Sequence, residues 1–221
     1  MLKLPTNFQS YSDARQQGFI RMKGLKETGK KVVGVFCTYT TTEMILAAGA
    51  VPVGLCGVSD EPIPFAEKHL PKNLCPLIKS SYGFAVSDTC PYFYFSDMIL
   101  GETTCDGKKK MYEWLNQLKY THVMQLPPGR CGEKALEGWH GEMLRLKEVL
   151  VQQLDAEITD DDLRQAIQLR NRERKAILDF FEIGRLKPSP ISGYELNTLI
   201  DTNTFLFDTE EKIAVLEKRT A

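Results

Sequence analysis

Cys105 sits in the run Gly101-Glu102-Thr103-Thr104-Cys105-Asp106-Gly107-Lys108-Lys109-Lys110, after the apolar Met98-Ile99-Leu100 and before the helix-spaced Met111, Leu115 and Leu118. That order predicts a strand, a turn and a helix, with the thiol at the helix's first turn. Free backbone N–H groups there stabilise negative charge, which suits a sulfur ligand of an inorganic cofactor. Cys75 precedes Pro76 in Cys75-Pro76-Leu77-Ile78-Lys79, and a proline at the first helical position puts this thiol in a similar place. Cys37 directly follows the apolar run Val32-Val33-Gly34-Val35-Phe36. These three thiols are the leading cofactor and metal ligands. Cys90, before Pro91, competes as a further ligand, and Cys56 and Cys131 are weaker. Taken singly, each also reads as a small core residue, since cysteine is among the most buried residue types.

The six cysteines are separated by 19, 19, 15, 15 and 26 positions, so no compact pair exists. Any metal site is therefore assembled by the fold from distant loops. Zinc would use the same thiolates but normally asks for four protein ligands in a closed structural site. The three histidines, His69, His122 and His140, share no recognisable motif with a cysteine, and His122 reads as an ordinary sheet-edge residue. Neither a nucleophile elbow nor a phosphate-binding glycine loop occurs. Acid or base chemistry falls by position to Glu43, Glu102 or Asp106, each near a cysteine. Tyr39, two residues after Cys37, is placed to donate a hydrogen bond to a cofactor or substrate. Glu43 and Tyr39 are the candidate catalytic residues.

The elements that must position these groups alternate. A first helix is predicted over Ser12 to Leu25, with Ile20 and Leu25 facing inward and Gly29 as its stop. Strand Val32–Phe36 follows, then a helix capped by Thr41 or Thr42, then strand Val51–Leu55. Glu61 to Leu74, punctuated by Pro62, Pro64 and Pro71, reads as a loop carrying a short helix. The aromatic run Tyr92-Phe93-Tyr94-Phe95 packs on the sheet or covers a cofactor. His122 to Leu126 is a further strand. Beyond Cys131 a long helical tract places Leu136, Trp139, Met143, Leu146 and Leu150 on one face. Thr159, with Asp162 three residues on, caps the next helix, whose stripe is Leu163, Ile167, Leu169, Ile177 and Phe181. Short helices over Ser189–Leu206 and Thr209–Leu216 complete the chain. The fold class is α/β: a small open parallel-sheet domain with flanking helices and a helical C-terminal extension. The expected division is an N-terminal cluster-binding domain over 1–130 and a helical extension or linker over 131–221. Ligands in such sheets bind beyond the carboxyl ends of the strands, where Cys37, Cys56 and Cys105 fall.

With 28 Lys and Arg against 29 Asp and Glu, the formal net charge of -1 gives no global field for nucleic acid. The local cluster Arg21, Lys23, Lys26, Lys30 and Lys31 reads as the solvated face of a helix. No apolar run reaches the roughly 20 residues needed to cross a membrane, and the polar start lacks a secretory signal's apolar stretch. The expected compartment is the cytoplasm, where structural disulfides are rare.

The stretches from Val35 to Pro52, from Leu74 to Lys79, and from Asp88 through Cys105 to Lys110 resemble one family in that order. It is the iron–sulfur component of 2-hydroxyacyl-CoA dehydratases, and the likeness runs towards the relatives called double-cubane cluster proteins. The resemblance spans about Val32 to Trp114. It implies an oxygen-sensitive iron–sulfur protein, with a four-iron, four-sulfur or double-cubane cluster, reduced by a separate ATP-hydrolysing activator. Dehydratase relatives use an electron to turn a 2-hydroxyacyl-CoA thioester into a ketyl radical; double-cubane relatives look like ATP-driven reductases of small molecules. On matching positions Cys37, Cys75 and Cys105 carry the ligand assignment, and Cys90 belongs to the double-cubane variant. Family members are generally built from two similar α/β domains, so the resemblance further implies an absent second domain or partner subunit, a homodimer, and a chain inactive alone. The alternative is a non-catalytic remnant or interaction module of the same fold without cofactor.

Overall fold

The structure, a computed structural model, describes residues 7–36 and 39–220, with side chains from Asp13 onward. Cys37 and Thr38 lie outside the described residues.

The α/β unit covers Lys30–Asp162. Its four strands are β1 (Val32–Val35), β2 (Val51–Gly54), β3 (Met98–Glu102) and β4 (Thr121–Met124), all parallel in the order β2-β1-β3-β4. Their near-continuous apolar character reflects burial on both faces: Val32, Val33, Met98, Ile99, Leu100 and Met124 are all fully enclosed. Helix α2 (Thr42–Ala47) links β1 to β2. The chain then crosses to the other side of β1 through three helices, α3 (Ile63–Ala66), α4 (Pro76–Val86) and α5 (Pro91–Phe95), and enters β3. The strand order therefore reverses between β1 and β3, and the crevice outside their carboxyl ends is the topological switch point. Helix α6 (Asp106–Leu118) connects β3 to β4 and buries Met111, Tyr112 and Leu115. Gly101 is required where it stands, because a Cβ there would come within 2.3 Å of the Tyr112 ring.

Helix α7 (Glu133–Leu154) also lies within this unit. It buries Leu146, Leu150 and Leu154, and its Glu142 accepts the Gln125 backbone N–H at 2.9 Å, just past β4.

The second unit joins α1 (Asn7–Glu27) to α8 (Asp160–Ile183) from Leu163 onward, α9 (Gly193–Asn203) and α10 (Thr209–Thr220). Ala176, Phe180, Ile213 and Leu216 form its core, flanked by Leu169, Ile177, Leu196 and Leu199. Ser192 and Glu195 form a reciprocal capping box at the start of α9. Thr159 and Asp162 pair in the same manner ahead of α8, as the sequence predicts.

Three helix faces differ from their predicted phase. Met22, not Ile20, is the enclosed side chain of α1, and Ile20 is exposed. On α7, Leu136 is exposed while Glu142 is buried; on α8, Ile167 and Phe181 are exposed while Ala166, Glu173, Ala176 and Phe180 are buried. The reason is common to all three. A stripe of period 3.6 fixes which residues share a face, but the neighbour that covers the helix decides where that face is centred.

Candidate functional site

The site is built at the carboxyl ends of β1 and β3. Cys105 is the N-cap of α6, in extended backbone, and its Sγ accepts the Lys108 backbone N–H at 3.4 Å. Cys75 is the N-cap of α4, followed by Pro76 at the first helical position, and its side chain accepts no cap hydrogen bond. Both thiols are exposed. The two helix starts are brought together by a missing side chain: a Cβ on Gly107 would lie 2.7 Å from Ile78 Cδ1 and 3.0 Å from Leu74 Cδ1. Gly107 is two residues after Cys105, Leu74 one residue before Cys75 and Ile78 three after it. The first turns of α4 and α6, each offering unsatisfied backbone N–H groups, thus pack against each other at Gly107.

Both turns are anchored by charge. Lys79 of α4, 7% exposed, donates to Glu67 Oε1 at 2.8 Å and to the Lys72 carbonyl at 2.7 Å, tying down the loop ahead of Cys75. Its hydrogen bond holds the Glu67 carboxyl below the ordinary glutamate range. Glu102, the last residue of β3, is fully buried. Its Oε1 accepts from Lys108 Nζ at 3.1 Å and from the Thr104 hydroxyl at 3.3 Å, and its Oε2 from the Thr40 hydroxyl at 3.3 Å.

The other expected site residues fall as follows. Cys90 is half-buried at the start of α5 and accepts the Phe93 N–H at 3.3 Å. Cys56 is half-buried just past β2. Glu43 stands in the first turn of α2. Tyr39 is exposed and lines a cavity of about 560 Å³ with Leu126, Pro127, Arg130, Cys131 and Trp139. His69 hydrogen-bonds Tyr82 Oη at 2.5 Å and stacks on Trp114, a packing role and not a ligand's. His122 lies in β4 with Nε2 buried and without a hydrogen-bond partner; burial pushes its pKa down. Lys108 and Thr40 do not stand out in the sequence. The available signal is a carboxylate closing the apolar run Met98-Ile99-Leu100, since a charge at the end of a buried strand needs partners.

Among the described residues, no three His, Cys, Asp or Glu side chains converge to hold a metal ion. Cys75 and Cys105 nevertheless match in part the donor set of a thiolate-ligated anionic cluster: two accessible sulfurs, at adjoining helix starts rich in N–H donors. No helix among the described residues is long and apolar enough to cross a membrane.

Fold and site together define an open α/β domain with exposed cysteines at the starts of two helices that pack against each other. The family model described as 2-hydroxyglutaryl-CoA dehydratase, D-component, matches residues 37–221, and the chain belongs to that family. It is 50% identical over 218 residues to YjiM of Escherichia coli (strain K12), a protein named as a dehydratase subunit; the match covers 99% of this chain and 57% of that one. It is 25% identical over 201 residues to the (R)-phenyllactyl-CoA dehydratase beta subunit of Clostridium sporogenes, covering 88% and 52%. Against a benzoyl-CoA reductase subunit of Thauera aromatica it is 23% identical over 178 residues, covering 79% and 45%. The chain thus spans about half the length of the relatives it matches.

Proposed function

We propose that this chain is the cysteine-bearing component of a 2-hydroxyacyl-CoA dehydratase-like or double-cubane reductase system, with Cys37, Cys75 and Cys105 as thiolate ligands of an iron–sulfur cluster. The observation that supports the reading is the packing of Gly107 against Leu74 and Ile78, which joins the first turns of the two helices that start at the exposed Cys75 and Cys105. Family membership supports it: the relatives named above are dehydratase and reductase subunits. When bound, the cluster supplies low-potential one-electron chemistry that no side chain offers.

The chain's own residues supply the rest. Cys75 and Cys105 present sulfur, with Cys37 as the third ligand, and the first-turn N–H groups of α4 and α6 offset the negative charge of the ligand set. Lys79 and Glu102 hold the loops that carry those sulfurs. Tyr39 and Glu43, on the segment after β1, are the candidates to contact substrate. Electrons come from an ATP-hydrolysing activator. The second wall of the site comes from a further domain, a partner subunit or a second copy, and the substrate is an acyl-CoA or another small molecule. The working compartment is the cytoplasm.

Anaerobic reconstitution with iron and sulfide, followed by metal analysis and electron paramagnetic resonance, tests the assignment on the wild-type chain and on Cys37→Ala, Cys75→Ala and Cys105→Ala. Each substitution is expected to lower bound iron and alter the spectrum. Cluster assembly insensitive to all three sinks the ligand set.

A further inference from the structure

Beyond the carboxyl end of β4 lies the cavity of about 560 Å³, a size within the roughly 300–1,000 Å³ of small-molecule sites. Leu126 and Pro127, just past the strand, line it together with Ala135, Leu136 and Trp139 from the first turns of α7. Arg130 and Glu133, both exposed, add one charge of each sign, so the lining holds no net charge to select an ion. Leu136 is 70% exposed and Trp139 half-buried, so apolar surface faces a space that an apolar group would cover. The cavity is also held in shape. Leu126 donates its backbone N–H to the Thr103 hydroxyl at 2.9 Å, and Thr103 donates its own to the Met124 carbonyl at 3.1 Å. Glu142, 7% exposed on α7, accepts the Gln125 N–H at 2.9 Å and ties the strand's exit to that helix. Thr103 stands two residues before Cys105, so the lining is fastened to the turn that carries a candidate ligand. A site organised in advance loses little affinity to the ordering of loops.

We propose that this cavity is a subsite for an uncharged aromatic side group of a small-molecule ligand, with Leu136 and Trp139 as its specificity-determining residues. That the ligand is an acyl substrate rests on the proposed function; that the cavity takes an aromatic group rests on its lining. A ring gains offset or edge contact with the Trp139 indole beyond the area it buries. A side group that ends in a carboxylate would lose hydration against Leu126, Pro127 and Leu136, and Glu133 offsets the Arg130 charge that could receive it.

Cys131 lines the cavity with an exposed thiol and so reports its occupancy. Its alkylation rate in the metal-free chain is measured by peptide mass spectrometry with two added probes. One is 3-phenylpropanamide, whose amide stands for the thioester carbonyl; the other is glutaramate, which ends in a carboxylate where the first has a ring. The aromatic amide is expected to slow Cys131 saturably, by at least about fivefold, and to leave Cys75 and Cys105 within about twofold of their rates without it. Glutaramate is expected to change none of them. Leu136→Glu, at a position 70% exposed and so harmless to the fold, is expected to abolish the protection, while Leu136→Phe keeps it. Trp139→Ala is expected to weaken the aromatic probe by about tenfold; should that variant fail to fold, the two changes at Leu136 carry the comparison. Absence of protection, equal protection by glutaramate, or protection that survives Leu136→Glu overturns the subsite. So does Cys131 alkylation that slows with protein concentration when no probe is present, which would assign this face to a second copy. Iron uptake after anaerobic reconstitution, measured on the same chain, separates the two readings. A chain that binds the amide and no iron keeps the subsite and loses the cluster; one that binds iron and no amide does the reverse.

Discussion

Two buried ion pairs, one from each unit, share chemistry and differ in what they connect. In the helical unit Arg170 and Glu173 pair across a single turn of α8, with the Glu173 side chain 6% exposed and Arg170 23%. In the α/β unit Lys108 and Glu102 join the first turn of α6 to the end of β3, and through Thr40 to the segment after β1. A pair within one turn restrains little that the helix does not already restrain. A pair that spans three segments fixes loops the sheet alone leaves free, and here those loops lead to cysteines. The lesson is one of location: the exposed Cys105 thiol stands three residues from the most deeply buried carboxylate among the described residues.

The sharpest way to break that contrast is to remove one partner from each pair. Lys108→Met strands a carboxylate with no exposure and is expected to destabilise the α/β unit by about 3 kcal/mol, read as the shift of the urea midpoint. Gly101→Ala comes next. The added Cβ meets the Tyr112 ring at 2.3 Å, with strand on one side and a buried helix face on the other, and overpacking of this kind costs about 2 kcal/mol in the same assay. Arg170→Met is expected to cost less, about 1 kcal/mol, because its partly exposed side chain is screened by water. Exposed pairs such as Arg172 with Glu210 close the series, with Arg172→Ala expected to leave the urea midpoint unchanged. A larger loss at Arg170 than at Lys108 would reverse the comparison.

The helical unit also carries a buried titration of its own. Burial, aided by the nearby Arg170 charge and opposed by Asp208, pushes the Lys212 ammonium down to about 8. Below that pH both folded and unfolded chains hold the proton. Between about 8 and the ordinary lysine range the unfolded chain holds more, so stability is expected to rise with pH across that window. Denaturant melts at about pH 7, 9 and 10 measure it, and the rise should vanish in Lys212→Met.

How much of this was legible in the sequence follows from the range of the interactions. The strands announced themselves as short apolar runs, and the cysteines at helix starts were readable because capping and a first-position proline act within a single turn. Thr159 with Asp162 belongs to the same local class. The faces of α1, α7 and α8 were misplaced around Ile20, Leu136, Ile167 and Phe181 because the covering neighbour, not the helix, selects the buried side. The pairing of Glu102 was illegible for a stronger reason. Glu102 meets Thr40 across 62 residues, and no periodicity within either segment encodes that meeting. The abutment of Gly107 with Leu74 and Ile78 is equally non-local, so no pattern within either segment encodes the packing of the α4 start on the α6 start.

The central claim is that the thiols at the starts of α4 and α6 serve one metal centre. Iron bound per chain after anaerobic reconstitution tests it most directly, comparing a Cys75→Ala, Cys105→Ala double variant with a Cys56→Ala, Cys131→Ala double variant. The account predicts loss of iron from the first pair and wild-type iron in the second. Equal retention in both, or loss confined to the second, would contradict it.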